Sequence, residues 1–337
     1  MSYAELVQPL IERKDLTPEQ AADLMHFLMS GSATDAQIGG VLLALRAKGV
    51  TTRELAAFAK VMRDKATMIG HNFDDLVDTC GTGGGRPTFN ISTGAAIVAA
   101  AAGVRVAKHG NRSMTGKGSA DVLEALGVQI GGDPETLLHN LEALGIVFLF
   151  APAHHPAMKH VAKARSELGL RTVFNQLGPL ANPASASRQL IGVYEPGLMR
   201  SMGEALRELG TERALLVHSD EGLDEISPCG ATQVVRVWEG RVSTETLRPE
   251  DFGLDPLEAC AIDCGETLAD NVAILQESVS DAESPRARAL LPSAAVAIVL
   301  GGLEDQLPAA AQRARQAIAS GAARKKLEQL VEVGKGN

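Results

Sequence analysis

Apolar residues fall on helical faces through residues 1–70 and then shift to short strand-like runs, and this change of period divides the chain. Ile38, Val41, Leu42, Leu43 and Leu45 line one face of a helix that ends near Gly49. Thr17-Pro18-Glu19-Gln20 opens another with a cap, a first-turn proline and a capping-box partner, and Thr51-Thr52-Arg53-Glu54 nearly repeats it. These signals predict a small N-terminal helical domain.

From Asp75 onward, β-branched runs alternate with helical patterns. Strands are predicted at Leu76-Val77 (a strand end), Val104-Arg105-Val106, 146–150, 190–194 and 214–217, with helices at 120–126, 134–144, 157–167 and 198–209. Such alternation implies an α/β domain with an open, mostly parallel sheet, whose ligands sit at the carboxyl ends of the strands. Runs 232–237 and 241–245 flank Glu239-Gly240 and read as a hairpin, and an alanine-rich helical region follows.

Composition narrows the function classes. The chain has 337 residues, 45% hydrophobic and 22% charged, which suits one large globular domain with or without a small one. A net charge of −9 argues against non-specific nucleic-acid or membrane binding, and 3% aromatic content leaves few stacking platforms for single strands. The N-terminus lacks signal-peptide character and 94–104 is too short to span a bilayer, so a cytoplasmic location and a small-molecule partner are expected. Cys80, Cys229, Cys260 and Cys264 show no zinc-type pairing; Cys260 and Cys264 read as reduced thiols, with metal ligation the alternative.

Three polar stretches carry candidate chemistry. Residues 81–93, from Gly81-Thr82-Gly83-Gly84-Gly85 to Asn90-Ile91-Ser92-Thr93, form a glycine turn running into a helix expected over 94–102. Close backbone approach and the helix dipole make it an anion seat, with an ordinary strand-to-helix loop as the alternative. Its spacing fits neither the Walker A pattern nor the dinucleotide fingerprint. Lys108-His109-Gly110-Asn111-Arg112-Ser113 follows the strand expected to end at Val106; its cations, imidazole and amide suit a phosphosugar, or simply a solvated loop. Asp224-Glu225, after a strand ending near His218, would hold Mg²⁺ or would be ordinary surface acids.

Together these stretches resemble the anthranilate phosphoribosyltransferase family. The resemblance is carried by Gly81-Thr82-Gly83-Gly84, 89–93, 108–112, 118–123, 171–175, Leu177-Gly178-Pro179-Leu180, Asn182-Pro183 and 222–225, in order along nearly the whole chain. It implies transfer of a phosphoribosyl group from phosphoribosyl pyrophosphate to anthranilate, in tryptophan biosynthesis, by a Mg²⁺-dependent homodimer. The implied fold is of the nucleoside phosphorylase class. Its helical domain would take 1–70 plus roughly 163–187, and its α/β domain 71–162 and 188–337.

Carried over by position, the resemblance implies a phosphoribosyl pyrophosphate site made of Gly81, Thr82, Gly83, Gly84, Gly85 and Thr88 with Asn90, Ile91, Ser92 and Thr93. Lys108, His109, Gly110, Asn111, Arg112, Ser113, Thr115 and Ser119 would continue it. Gly81, His109, Asn111 and Arg165 would meet anthranilate, Arg165 through the carboxylate, although its spacing with Lys159 and Lys163 reads by itself as a solvated helix face. Ser92, Asp224 and Glu225 would hold the metal. No general base is expected, because the aniline nitrogen is already neutral; His109 is the nearest candidate.

Two departures fall in the phosphate pocket. Gly84-Gly85-Arg86-Pro87-Thr88 is one residue shorter than the family pattern and lacks its acid, and 113–118 is also one shorter. The expectation is that the two loops touch, with Arg86 or Lys117 adding positive charge. The rival functions are a pyrimidine nucleoside phosphorylase and a non-enzymatic nucleic-acid-binding paralogue. Leu42 and Leu45 are expected to form either a dimer interface or core.

Overall fold

The computed structural model describes residues 2–334; Met1 and residues 335–337, at the outer ends of the two expected domains, lie outside the described residues. Helices α1 (Tyr3–Ile11), α2 (Pro18–Leu28), α3 (Asp35–Lys48) and α4 (Thr52–Asp64) come first, each opened by a capping box, at Ser2, Thr17, Thr34 and Thr51. Helix α1 was not expected from the pattern. Leu42 and Leu45 are buried inside this bundle, which makes them core rather than an interface patch.

The α/β part runs β1 (Val77–Gly81), α5 (Ile91–Ala101), β2 (Val106–Gly110), α6 (Ser119–Ala125), α7 (Pro134–Leu144) and β3 (Ile146–Phe150). The chain continues through α8 (Ala151–His154), α9 (Lys159–Leu168) and α10 (Val173–Leu177) to β4 (Arg188–Gly192), α11 (Met199–Glu208) and β5 (Arg213–Ser219). The hairpin β6 (Thr232–Trp238) and β7 (Arg241–Leu247) turns through Glu239 and Gly240, both at positive φ as a two-residue turn requires. Helices α12 (Leu268–Ser278), α13 (Pro285–Leu300), α14 (Leu307–Ala319) and α15 (Ala322–Val333) close the described chain.

The sheet order is β3-β2-β1-β4-β5-β6-β7, parallel through β5 and antiparallel beyond. From β1 the chain builds outward through β2 and β3, then returns to place β4 on the other side of β1. The strand order therefore reverses between β1 and β4, where open α/β sheets bind ligands. Side chains alternate across the sheet: Leu190 and Leu215 enter one core with α5 and α13, while Ile191, Ala214 and Leu216 enter the other with α11 and the helical bundle. Helix α9 packs on α3 and α10 on α3 and α4, so this excursion after β3 returns to the bundle.

Three boundary differences from the sequence reading bear on the sheet edge; others, such as β4 starting at Arg188 and not at 190, shift an element by a residue or two. β1 begins rather than ends at Val77. β2 starts at Val106, so Lys108, His109 and Gly110 lie in a strand and not in a following loop; pairing with β3 from Val106 to Gly110 outweighs their polar character. Helix α5 starts at Ile91, three residues earlier than expected.

Candidate active site at the sheet switch point

β1 ends at Gly81 and its partner β4 at Gly192, and the loop carrying Asp224 lies across both. A Cβ on Gly192 would sit 1.8 Å from the Asp224 carbonyl oxygen, and one on Gly85 would sit 2.4 Å from its Oδ1. Glycine at these two positions is what lets the acidic loop close onto the glycine turn. Gly83 and Gly84 take φ of 66° and 97°, the region that only glycine enters freely. Thr82 N donates to Gly192 O at 2.8 Å and Arg86 N to Gly222 O at 2.9 Å, stitching the turn to both neighbouring loops.

The N-terminus of α5 is already engaged. Ser92 N donates to Glu225 Oε1 at 3.1 Å, while the amides of Thr93 and Gly94 donate to Asn90 O. The expected anion seat thus holds one of the chain's own carboxylates. Asn90 occupies the N-cap position but does not cap by its side chain: its Nδ2 donates to Lys117 O at 3.1 Å and its Oδ1 is buried without a partner. Thr93 Oγ1 is likewise buried and unpartnered.

Burial raises the pKa of both acids. For Asp224 it is opposed by the amides of Asp224 itself and Gly85, then by His218 and Arg171. Glu225 is pushed up to about 8 by burial and by the Asp224 charge, against the pull of Lys108 and Ser92. Two adjacent half-buried carboxylates short of positive charge, with a serine hydroxyl beside them, are a donor set that fits a hard divalent cation.

Lys108 is buried beneath the turn; its Nζ donates to Thr79 O and lies 3.3 Å from Ser92 Oγ. It braces β1 against α5. His109 N donates to Asp78 Oδ1 at 3.0 Å, and the His109 ring stands 5.3 Å from that of His155. Burial, then the charges of His155 and His154, bring His109 down to about 3, so the imidazole is neutral and a weak base at neutral pH.

Beyond β2 the residues turn outward. Arg112 pairs with Glu124 at 2.7 Å and Asp121 at 3.4 Å and lies over the Phe150 ring. Ser113 Oγ and Thr115 Oγ1 are 2.9 Å apart, and Ser119 Oγ donates to Asn111 O at 3.3 Å. A Cβ on Gly110 would press on Phe148 and Ser119. Thr88 and Ile91 flank the turn, Ile91 within the core.

Arg165 is on α9, half-buried over the Phe174 ring at 5.2 Å. Its guanidinium makes no hydrogen bond or ion pair among the described residues, and because the Phe174 ring covers it, it is not the solvated helix face that its spacing indicated. Burial lowers its pKa, and an anion would compensate that cost. Arg171 and His155 went unassigned in the sequence. Arg171 Nη2 donates to Gly84 O while its guanidinium lies 4.0 Å over the Tyr194 ring. His155 follows β3, and the rule that ligands gather at the carboxyl edge was the available signal for it.

Arg86 and Lys117 do not point their charge into the turn. Arg86 Nη2 meets Asp263 Oδ1 at 3.0 Å, and Lys117 Nζ donates to Gly265 O at 2.9 Å.

Residues 4–66 match the family model described as Glycosyl transferase family, helical bundle domain, and 73–324 match Glycosyl transferase family, a/b domain. The chain is 46% identical to the anthranilate phosphoribosyltransferase of Desulfosudis oleivorans over 99% of both chains. The crystal structure of the Thermus thermophilus enzyme of that name superposes with a TM-score of 0.92 at 40% identity, covering 98% of this chain and 99% of that one. The Saccharomyces cerevisiae enzyme, solved with phosphoribosyl pyrophosphate and Mg, gives 0.88 at 28% identity, covering 100% and 99%. With both domains matched in order and relatives aligned end to end, the chain belongs to the anthranilate phosphoribosyltransferase family.

Proposed function

We infer that the protein transfers the phosphoribosyl group of phosphoribosyl pyrophosphate to the amine of anthranilate, giving N-(5-phosphoribosyl)anthranilate and pyrophosphate in tryptophan biosynthesis. The observation that carries this reading is the half-buried Asp224-Glu225 pair closed onto the glycine turn at the switch point of the sheet, in a chain that matches its family along its length. The donor would lie along residues 81–93 and 108–119, and anthranilate beside Gly81, His109 and Asn111 with its carboxylate on Arg165. Asp224 and Glu225, with Ser92, would hold Mg²⁺. When bound, the metal would offset the charge that grows on pyrophosphate as it leaves.

In the reaction the aniline nitrogen forms a bond to the ribose C1, the bond from C1 to the pyrophosphate oxygen breaks, and the amine proton passes to solvent or to the leaving group. The chain's contribution is to hold donor and acceptor in line, worth up to about 7–11 kcal/mol in favourable cases. Neutral His109 leaves the nitrogen lone pair free and adds no like charge to an electron-poor C1. The unpaired Arg165 favours a carboxylate-bearing acceptor over a nucleoside, which weighs against the phosphorylase alternative.

The domains we propose are 1–70 with 163–187, and 71–162 with 188–337. The assembly is a homodimer, for which exposed Ile11 and Leu43 offer apolar surface on the bundle. No helix among the described residues is long and apolar enough to cross a membrane. The test is loss of anthranilate fluorescence with phosphoribosyl pyrophosphate and Mg²⁺, run beside Glu225→Ala. Substrate-dependent loss that the variant abolishes is expected; no loss, with the donor still bound by calorimetry, would mean another acceptor.

A further inference from the structure

Segment 258–266, between β7 and α12, crosses beside the glycine turn and the loop after β2 and is held by cations from three elements. Arg86 of the glycine turn pairs with Asp263 at 3.0 Å. Lys117 of the loop after β2 donates to the carbonyls of Gly265 at 2.9 Å and Glu266 at 3.3 Å. Arg286 of α13 donates from below to the carbonyls of Ala261 and Asp263, at 2.9 and 2.5 Å.

The same segment touches the start of α5. Phe89 N donates to Ile262 O at 3.2 Å, Ile262 and Phe89 share one core, and the Arg286 guanidinium lies 5.4 Å from the Phe89 ring centroid. The two loops meet directly where Asn90 Nδ2 donates to Lys117 O at 3.1 Å. Glycine turn, second loop and segment 258–266 therefore form a closed triangle, each side made by at least one hydrogen bond or ion pair.

We propose that segment 258–266 is a strap that sets the spacing of the two donor-site loops, with Arg86 and Asp263 as positioning residues for phosphoribosyl pyrophosphate. The proposal rests on the function inferred above. The strap supplies both loops with an external anchor: Arg286 fixes its carbonyls to α13, and Arg86 and Lys117 each tie one loop to it. The charge of Arg86 acts through Asp263 and not on the ligand.

A double-mutant cycle tests this, using Arg86→Ala, Asp263→Ala, both together, and the reversed pair Arg86→Asp with Asp263→Arg. The calorimetric Kd for phosphoribosyl pyrophosphate, the KM for each substrate, kcat and the thermal midpoint are measured for each. Each single change is expected to raise the donor Kd and KM about threefold to fivefold, the range open to an exposed ion pair. The double change is expected to do no more than either single one, and the reversed pair to return the donor constants toward wild type. The anthranilate KM, kcat and thermal midpoint should stay level. Additive single effects, or a loss with Arg86→Ala that Asp263→Ala does not share, would place the guanidinium on the ligand and overturn the strap; so would unchanged donor constants throughout. Wild-type protein that binds the donor but spares anthranilate would remove the inferred acceptor while the cycle still reads the strap; wild-type protein that does not bind the donor would remove both.

Discussion

The backbone amide of Ser92 donates to the carboxylate of Glu225 at 3.1 Å, so the positive end of α5 is matched inside the chain by an acid from the loop after β5. Glu225→Gln keeps the acceptor oxygen and nearly the same shape but removes the charge that a bound divalent cation would draw out of an acid pushed up to about 8. Turnover is expected to fall about 10²-fold, the scale of losing one preorganised electrostatic contact, with the fold intact. A Mg²⁺ titration of anthranilate fluorescence loss, with far-UV circular dichroism alongside, checks this. Turnover within a few-fold of wild type would mean that the charge is not used.

Gly192 tests how tightly the acidic loop is seated. Its added Cβ would overlap the Asp224 carbonyl, which is backbone and cannot rotate away. Gly192→Ala is expected to destabilise by about 1–3 kcal/mol, the usual cost of overpacking, and to abolish most turnover by moving Asp224. Urea unfolding gives the first quantity and the fluorescence assay the second. A variant that loses stability but keeps full turnover would detach Asp224 from the reaction.

Arg165 predicts a selective defect. Half-buried over Phe174 without a hydrogen-bond partner, its guanidinium is available to the acceptor's carboxylate. Arg165→Ala should raise the anthranilate KM by about tenfold to a hundredfold, as expected for a hydrogen bond to a charged group, and leave the donor Kd near wild type. An equal rise in both constants would count against a role in acceptor binding.

What the sequence could show follows from how local each signal is. Capping boxes at Thr17 and Thr51, the Glu239-Gly240 turn and the full run 146–150 are read within a few residues, and each element lies where the pattern puts it. Lys108 and His109 were misplaced into a loop because their strand character comes from pairing with β3, some forty residues later. The glycine turn was legible as a strand-to-helix turn at the carboxyl edge of the sheet, but its engagement by Glu225 was not. That contact joins positions 133 residues apart and exists only because β4 and β5 bring the acidic loop to β1. Arg165 illustrates the opposite error: helical spacing with two lysines indicated solvent, whereas Phe174 on the next helix covers it.

The buried histidines set an acid limit on stability. His109 and His155 are brought down to about 3 and about 4, in each case by burial first and then by neighbouring imidazole charge, from an ordinary 6.5. Above pH 6.5 both folded and unfolded chains keep them neutral, and they add no pH dependence. As pH falls below 6.5 the unfolded chain takes up protons that the folded chain refuses, so stability is lost until the folded values are reached. The slope is up to about 1.4 kcal/mol per pH unit for each imidazole. Urea unfolding of wild type and His155→Gln at pH 7.5 and 5 should show a smaller loss in the variant. Equal losses would mean that His155 is protonated in the folded state.

Glu54 offers a stability effect that should leave the chemistry alone. It is fully buried in the helical bundle, where Oε1 accepts from Leu16 N at 2.8 Å and Oε2 accepts from Thr51 N at 2.8 Å and from Lys48 Nζ at 3.0 Å. One carboxylate thus caps α4, ties the loop before α2 and neutralises Lys48, whose side chain is itself 2% exposed. Glu54→Ala leaves the amides of Leu16 and Thr51 without their acceptor and the Lys48 ammonium with Asp15 alone at 2.8 Å, and is expected to cost about 1–3 kcal/mol. Glu54→Gln keeps the shape and one acceptor oxygen but removes the charge, and should cost less. Both substrate constants are expected to hold at a temperature where the variants remain folded, because no contact of Glu54 reaches the sheet edge. A shift in the donor or acceptor KM at that temperature would show that the bundle's internal packing sets the geometry of the site.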